Sequence, residues 1–252
     1  MDTPSAVPPQ IPVIQSPPIR LALGEHPDER QPIPNAIVAI EAVLRQPRRV
    51  LFQLRQPGAG GLLAGMFFVS LVCSLIYGAV VGSFSMGTQL WAAPVKLAGG
   101  LLVSAVICLP SLYIFACLSG SRARLSEICG HVAGLLLIMT LLLVGFAPVA
   151  WLFSQSTQSL TWMGALHIAF WLIATGFGIR FLHAGFAHSQ ARSSAGLNAW
   201  VLIFVLVALQ MTTALRPLLG TSDSFFPKEK KFFLTHWSQT LTARPETAAN
   251  NQ

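Results

Sequence analysis

From residue 60 to residue 215 the chain alternates long apolar runs with short polar breaks. Five runs stand out, at 60–81, 92–118, 128–153, 162–182 and 197–215, and almost no charge lies inside them. A helix of about 20 residues crosses the roughly 30 Å hydrocarbon layer of a bilayer, so each run is long enough to span it. One such run fits a buried soluble core; five in succession do not. The pattern predicts an all-α membrane protein, with five transmembrane helices bundled over residues 58–216.

The flanks predict different elements. Residues 1–34 hold nine prolines and few large apolar groups, which predicts a disordered, extended cytoplasmic tail. Its Pro9-Gln10-Ile11-Pro12 fits a PxxP ligand, although an extended tail alone accounts for it. No apolar run follows Met1, which speaks against a cleaved signal peptide. Residues 35–57 read as two juxtamembrane amphipathic helices. Asn35 caps the first, and Ile37, Ile40, Val43 and Leu44 fall mostly on one face. Pro47 breaks it, and Val50, Leu51 and Leu54 follow among Arg48, Arg49 and Arg55, a composition suited to the membrane interface. Beyond the bundle, residues 217–252 predict an extracytoplasmic tail with one amphipathic segment, Phe233, Trp237 and Leu241 sharing a helical face.

Positive charge sets the expected orientation. Arg45, Arg48, Arg49 and Arg55 precede the first run, Arg122 and Arg124 separate the second and third, and Arg180 and Arg192 bracket the turn between the fourth and fifth. The breaks at 82–91 and 154–161 carry no charge. This alternation places the N-terminus in the cytoplasm and the C-terminus outside. Trp91, Trp151 and Trp162 then gather as an outer aromatic belt. Lys228, Lys230 and Lys231 run against the charge rule, as a translocated last tail can.

Overall composition agrees: 53% of residues are hydrophobic and 10% charged, against about 25% charged in a soluble domain. The net charge of +7 gathers at membrane boundaries and in the tail, which fits anionic headgroups better than a nucleic-acid backbone. Cys73, Cys108, Cys117 and Cys129 form no CxxC pair and read as small apolar side chains.

Ionisable groups inside a span are costly and mark candidate sites. Lys96, His167, Gln210 and Arg216 all fall in the outer half of their spans and define a candidate site for an anion or lipid phosphate. No acidic residue lies inside the apolar runs to neutralise Lys96 or Arg216. For Lys96 alone, snorkelling to the headgroups is the simpler account, and for His167 a hydrogen bond to a neighbouring helix. Arg45, Arg48, Arg49 and Arg55 are the candidates for inner headgroup binding. His131, Arg180, His183 and His188 sit near inner span ends with spacing that suits solvation better than zinc, so no metal or cofactor is expected. Gly61-xxx-Gly65, Gly78-xxx-Gly82 and Gly130-xxx-Gly134 allow close helix approach, and Pro110 and Pro148 predict kinks.

A prolyl tail, Arg45-Gln46-Pro47-Arg48-Arg49 and five spans together resemble the Yip1-like family of polytopic membrane proteins. Leu109-Pro110-Ser111-Leu112-Tyr113 and Ala214-Leu215-Arg216-Pro217-Leu218-Leu219-Gly220 are similar to segments of its uncharacterised bacterial members, over about residues 36–235. The resemblance implies a non-enzymatic membrane bundle and carries no site residue with it. Short loops point to a bacterial inner membrane.

The expectation is a non-catalytic integral membrane scaffold or accessory subunit that binds membrane lipids and other membrane subunits or itself, with no nucleic acid. The alternative is a transporter or channel for a small solute or anion. Low polarity across 135–144 and 201–208 interrupts the path that alternative needs. No catalytic constellation emerges, so an enzyme is not expected.

Overall fold

The structure, a computed structural model, describes residues 22–84, 89–121, 123–156, 160–189 and 193–214. These residues are helical without strands. A short 3-10 turn at Pro27–Arg30 precedes α1 (Ala36–Arg45), α2 (Pro47–Gln53), α3 (Gly60–Ser83), α4 (Gln89–Leu118), α5 (Leu125–Ser156), α6 (Leu160–Ala187) and α7 (Ala195–Ala214). Among them α3, α4, α5 and α6 are long and apolar enough to cross a membrane; the apolar part of α7 is described over Ala195–Met211.

The bundle is built around α5. Every residue from His131 to Thr140 is buried, because α5 packs against α3 on one side and α6 on another. α4 packs on α3, and α7 packs on α4. A helix apolar all round has to sit inside a larger assembly of helices, and its sequence supplies that pattern in Val132, Leu135, Leu136, Leu137 and Met139. The hydroxyls buried with it are satisfied locally. Thr140 donates to the Leu136 carbonyl at 2.8 Å, Ser70 to Met66 at 2.8 Å, and Ser104 to Gly100 at 2.7 Å. Such back-bonding hides a polar group where no water is available.

Glycines set the closest approaches. A Cβ at Gly78 would stand 2.4 Å from the Cα of Pro94, so α3 and α4 touch backbone to backbone there. Gly134 leaves room for Phe181, and Gly130 for Leu54. Gly61 and Gly65 have nothing within 4 Å of an added Cβ, so this third pair plays no part in packing within the bundle. The prolines are accommodated: α4 runs through Pro94 and Pro110, and α5 through Pro148. Beside Pro110 the Cys108 carbonyl accepts from Ser111 Oγ and from the buried Trp200 indole of α7, both at 2.7 Å.

Several local readings change. Pro47 does not merely end α1 but opens α2, where its missing N–H costs nothing. Asn35 caps α1 as expected, its side chain accepting from the Val38 amide at 2.9 Å. The buried face of α1, however, is Ala39, Ala42 and Val43, while Ile37 and Leu44 are exposed. Small alanines permit the close seat that larger residues would have blocked. Residues 22–34, expected to belong to an extended tail, fold back onto α2. Residues 1–21 and the C-terminal segment from 215, including Arg216 and the helical face through Phe233, lie outside the described residues.

Substituting Gly78 by Ala therefore drives α3 from α4 and should cost about 1–3 kcal/mol as an overpacking change, whereas Gly61→Ala should be neutral. Thermal unfolding in detergent distinguishes them, and equal midpoints for the two variants would contradict the crossing.

Candidate functional site

Polar groups concentrate at the two ends of the bundle. At the end where α3 finishes and α4 and α6 begin, Trp91, Trp151 and Trp162 are exposed, as the expected belt requires. About one and a half turns below Trp162, His167 meets α3. Its Nδ1 lies 2.7 Å from the Tyr77 hydroxyl, with the two rings edge to face at 5.7 Å. Tyr77 is 3% exposed, and the Nε2 of His167 has no hydrogen-bond partner among the described residues. A phenol that donates to Nδ1 leaves the imidazole proton on Nε2.

Lys96 of α4 is covered by neighbouring groups, at 2% exposure. Its helix meets α7 in an antiparallel register fixed by the Trp200 bond to the Cys108 carbonyl. Gly196 of α7 comes against Phe115 and Ser119 of α4, so Gln210, fourteen residues on, falls nearer the level of residues 101–105 than of Lys96. Of the four outer positions expected to act together, Lys96 and Gln210 thus lie on neighbouring helices. His167 is joined instead to Tyr77. Sequence reasoning passed over Tyr77, although a lone phenol inside an apolar run carries a signal, because a buried hydroxyl needs a partner.

The opposite end is an arginine-built clamp. Arg55, just after α2, donates to the His188 carbonyl at 2.7 Å and lies 3.7 Å from Glu127, tying α2 to the end of α6 and the start of α5. Arg48 pairs with the buried Glu29 and reaches the Ala22 carbonyl at 3.1 Å. Arg49 donates to the carbonyls of Gln31 at 3.0 Å and Pro32 at 2.8 Å, and Gln53 to those of Arg30 and Gln31. Of the four arginines expected at headgroups, three hold this chain's own groups. Among the described residues Arg45, on the exposed face of α1, is paired with Glu41 alone, at 3.4 Å.

Residues 22–34 form a strap closed by its own loop. The Gly24 amide donates to Glu29, and the Gly24 carbonyl accepts from Arg30 Nε at 2.7 Å. Gly24 has a φ of 91°, which other residues adopt at a cost, and a Cβ there would overlap the Phe52 ring. Burial by itself pushes the Glu29 carboxyl up, but the Arg48 bond, the Gly24 amide and the charges of Arg48 and His26 outweigh it and hold the group below its ordinary value.

Beneath α2 lies His131. It is 3% exposed, where solvation at a span end had been expected. Its ring fills the space left by Gly185, where a Cβ would stand 2.3 Å from Cδ2, and packs on Phe186 at 5.6 Å. Leu51 of α2 reaches the same spot. The Nδ1 of His131 has no partner among the described residues. Arg180 lies over the Phe177 ring, and among the described residues no three histidines, cysteines or carboxylates gather as a metal site.

Because folding lowers the Glu29 value, its contribution to holding the strap is complete above the ordinary glutamate value, about 4.3, and is lost as pH falls through the lowered one. Pepsin should cut residues 22–34 more slowly in the native chain than in Glu29→Gln at pH 5, and the two rates should converge towards pH 3. A constant ratio would show that the carboxylate does not hold the strap.

Compared with family models, with curated proteins and with solved structures, the chain matches none.

Proposed function

We propose that the chain is an integral membrane protein with α7 as its fifth span, acting as a non-catalytic scaffold or accessory subunit that binds partner proteins and anionic lipids. The observation that carries this reading is the closely packed apolar axis of the bundle. From His131 to Thr140 α5 is buried on every side, and its hydroxyl is bonded to its own helix. A transporter of solutes or anions needs a polar path at this depth, and packing of this kind favours a body that presents surfaces.

Those surfaces are apolar. Val106 and Ile107 of α4, Leu172 and Phe177 of α6, and Leu202 and Leu206 of α7 point outward, which suits acyl chains and the spans of other subunits. In this reading the arginine end faces the cytoplasm and the tryptophan end the outside, in a bacterial inner membrane, in keeping with the resemblance to Yip1-like proteins. Arg45, exposed beside Ile37 and Leu44, is the arginine best placed for inner headgroups. Lys96 and Gln210, with Arg216 just beyond α7 and His167 at a similar depth, supply the outer anionic contact.

Purification of the full chain in nanodiscs, with mass spectrometry of what accompanies it, tests the reading. Stoichiometric membrane proteins or retained anionic phospholipid are expected. Solute uptake by vesicles containing this protein alone would replace the scaffold with a transporter. Arg216→Ala should lower the retained anionic lipid, and unchanged lipid would remove the outer site from the proposal.

A further inference from the structure

We infer that α2 is a lid over His131 and that the strap at residues 22–34 is the latch that holds it shut. Three sets of observations meet in this short helix. The first is its seat. Leu54 enters the space left by Gly130, and Leu51 lies with the His131 ring against Gly185. Both leucines, with the buried Val50, join an apolar cluster with Met66, Ala133 and Leu137, so this seat is side-chain packing that α2 leaves as a unit when the lid opens.

The second set is its hinges. On one side α2 begins at Pro47, directly after Gln46, whose backbone lies outside the regular regions at φ −133° and ψ 58°. On the other side, Gly58 adopts a φ of 91°, with nothing within 4 Å of an added Cβ. A glycine in open space absorbs a backbone rotation without a clash. Between hinge and helix, Arg55 ties the segment to the bundle through Glu127 and the His188 carbonyl.

The third is the latch. Arg48, Arg49 and Gln53 turn away from the bundle and hold the strap: Arg48 grips Glu29 and the Ala22 carbonyl, and the other two the main chain of Arg30, Gln31 and Pro32. These bonds staple α2 to a segment that reaches over it. Leu23 and Ile33 of the strap pack on the same apolar cluster as Leu51 and Leu54, so the strap presses the lid down.

What the lid covers has a reason to be uncovered. The His131 Nδ1 is buried without a partner, and an unmet polar group raises the free energy of the closed arrangement. Opening α2 gives this nitrogen water. The closed state is held against that cost by the latch, at a distance from the imidazole itself.

Carbethoxylation by diethyl pyrocarbonate, read histidine by histidine by peptide mass spectrometry on the full chain in nanodiscs, tests the inference. In the native protein His131 should react far more slowly than the half-exposed His183. The double variant Arg48→Ala with Arg49→Ala removes the bonds to the strap and leaves Leu51, Leu54 and Arg55 in place, and should accelerate His131 by about tenfold, as expected for losing charge-assisted bonds discounted for exposure. His183 should be unchanged, and His167, at the opposite end, should stay protected. Unchanged His131 reactivity in the variant overturns the latch, and native reactivity equal to that of His183 overturns the lid. A parallel rise at His167 would mean general loosening and would also overturn the inference. None of these outcomes depends on whether the protein is a scaffold, so the two proposals fail separately.

Discussion

Burying α5 on all sides is the constraint from which the rest of the molecule follows. A helix with no solvated face leaves no room for a charged side chain over ten consecutive residues, and the chain places none between His131 and Thr140. It also requires neighbours on each side, which α3 and α6 supply, with α4 and α7 added as an outer pair. Close seating then demands small residues at the crossings: Gly78 under Pro94, Gly134 under Phe181, Gly178 against the Leu135 carbonyl. Polar chemistry is driven to the two ends, where water or the protein's own groups can meet it.

At those ends the same physical problem has two solutions. Near the tryptophans, the Tyr77 hydroxyl and the His167 Nδ1 meet across two helices. Near the arginines, guanidiniums find partners that have lost theirs. An extended, proline-bearing segment has main-chain carbonyls without helical or sheet donors, and Arg49 and Gln53 supply them. Positive charge at a membrane boundary is usually read as lipid attraction. Here much of it serves the folding of the chain on itself.

The bundle was legible in the sequence because long apolar runs carry their own signal: four of the expected spans coincide with long helices, and the Asn35 cap and the end-facing tryptophans also appear where the pattern put them. α5 and α6 overrun their apolar runs at both ends, and at the end of α5 Ser154 and Ser156 bond back to the helix. The strap was not legible. Nine prolines argue for extension, but residues 22–34 turn back through Gly24 and a 3-10 turn, and composition does not reveal a donor set waiting 17 to 26 positions further on. His131 was misplaced for a related reason: its burial depends on α2 folding over it, a tertiary event with no periodicity.

The clamp on the strap grips carbonyl oxygens, and every residue type offers the same one. Side chains at Gln31 or Pro32 are therefore nearly invisible to Arg49, whose two bonds end on their main chain. Identity counts elsewhere in the strap: at Glu29 through its carboxylate, at Gly24 through its left-handed backbone, at Arg30 through its guanidinium, and at Leu23 and Ile33 through apolar packing. Sequence can therefore drift at Gln31 and Pro32 while position is kept, and the strap holds its course there by main chain alone.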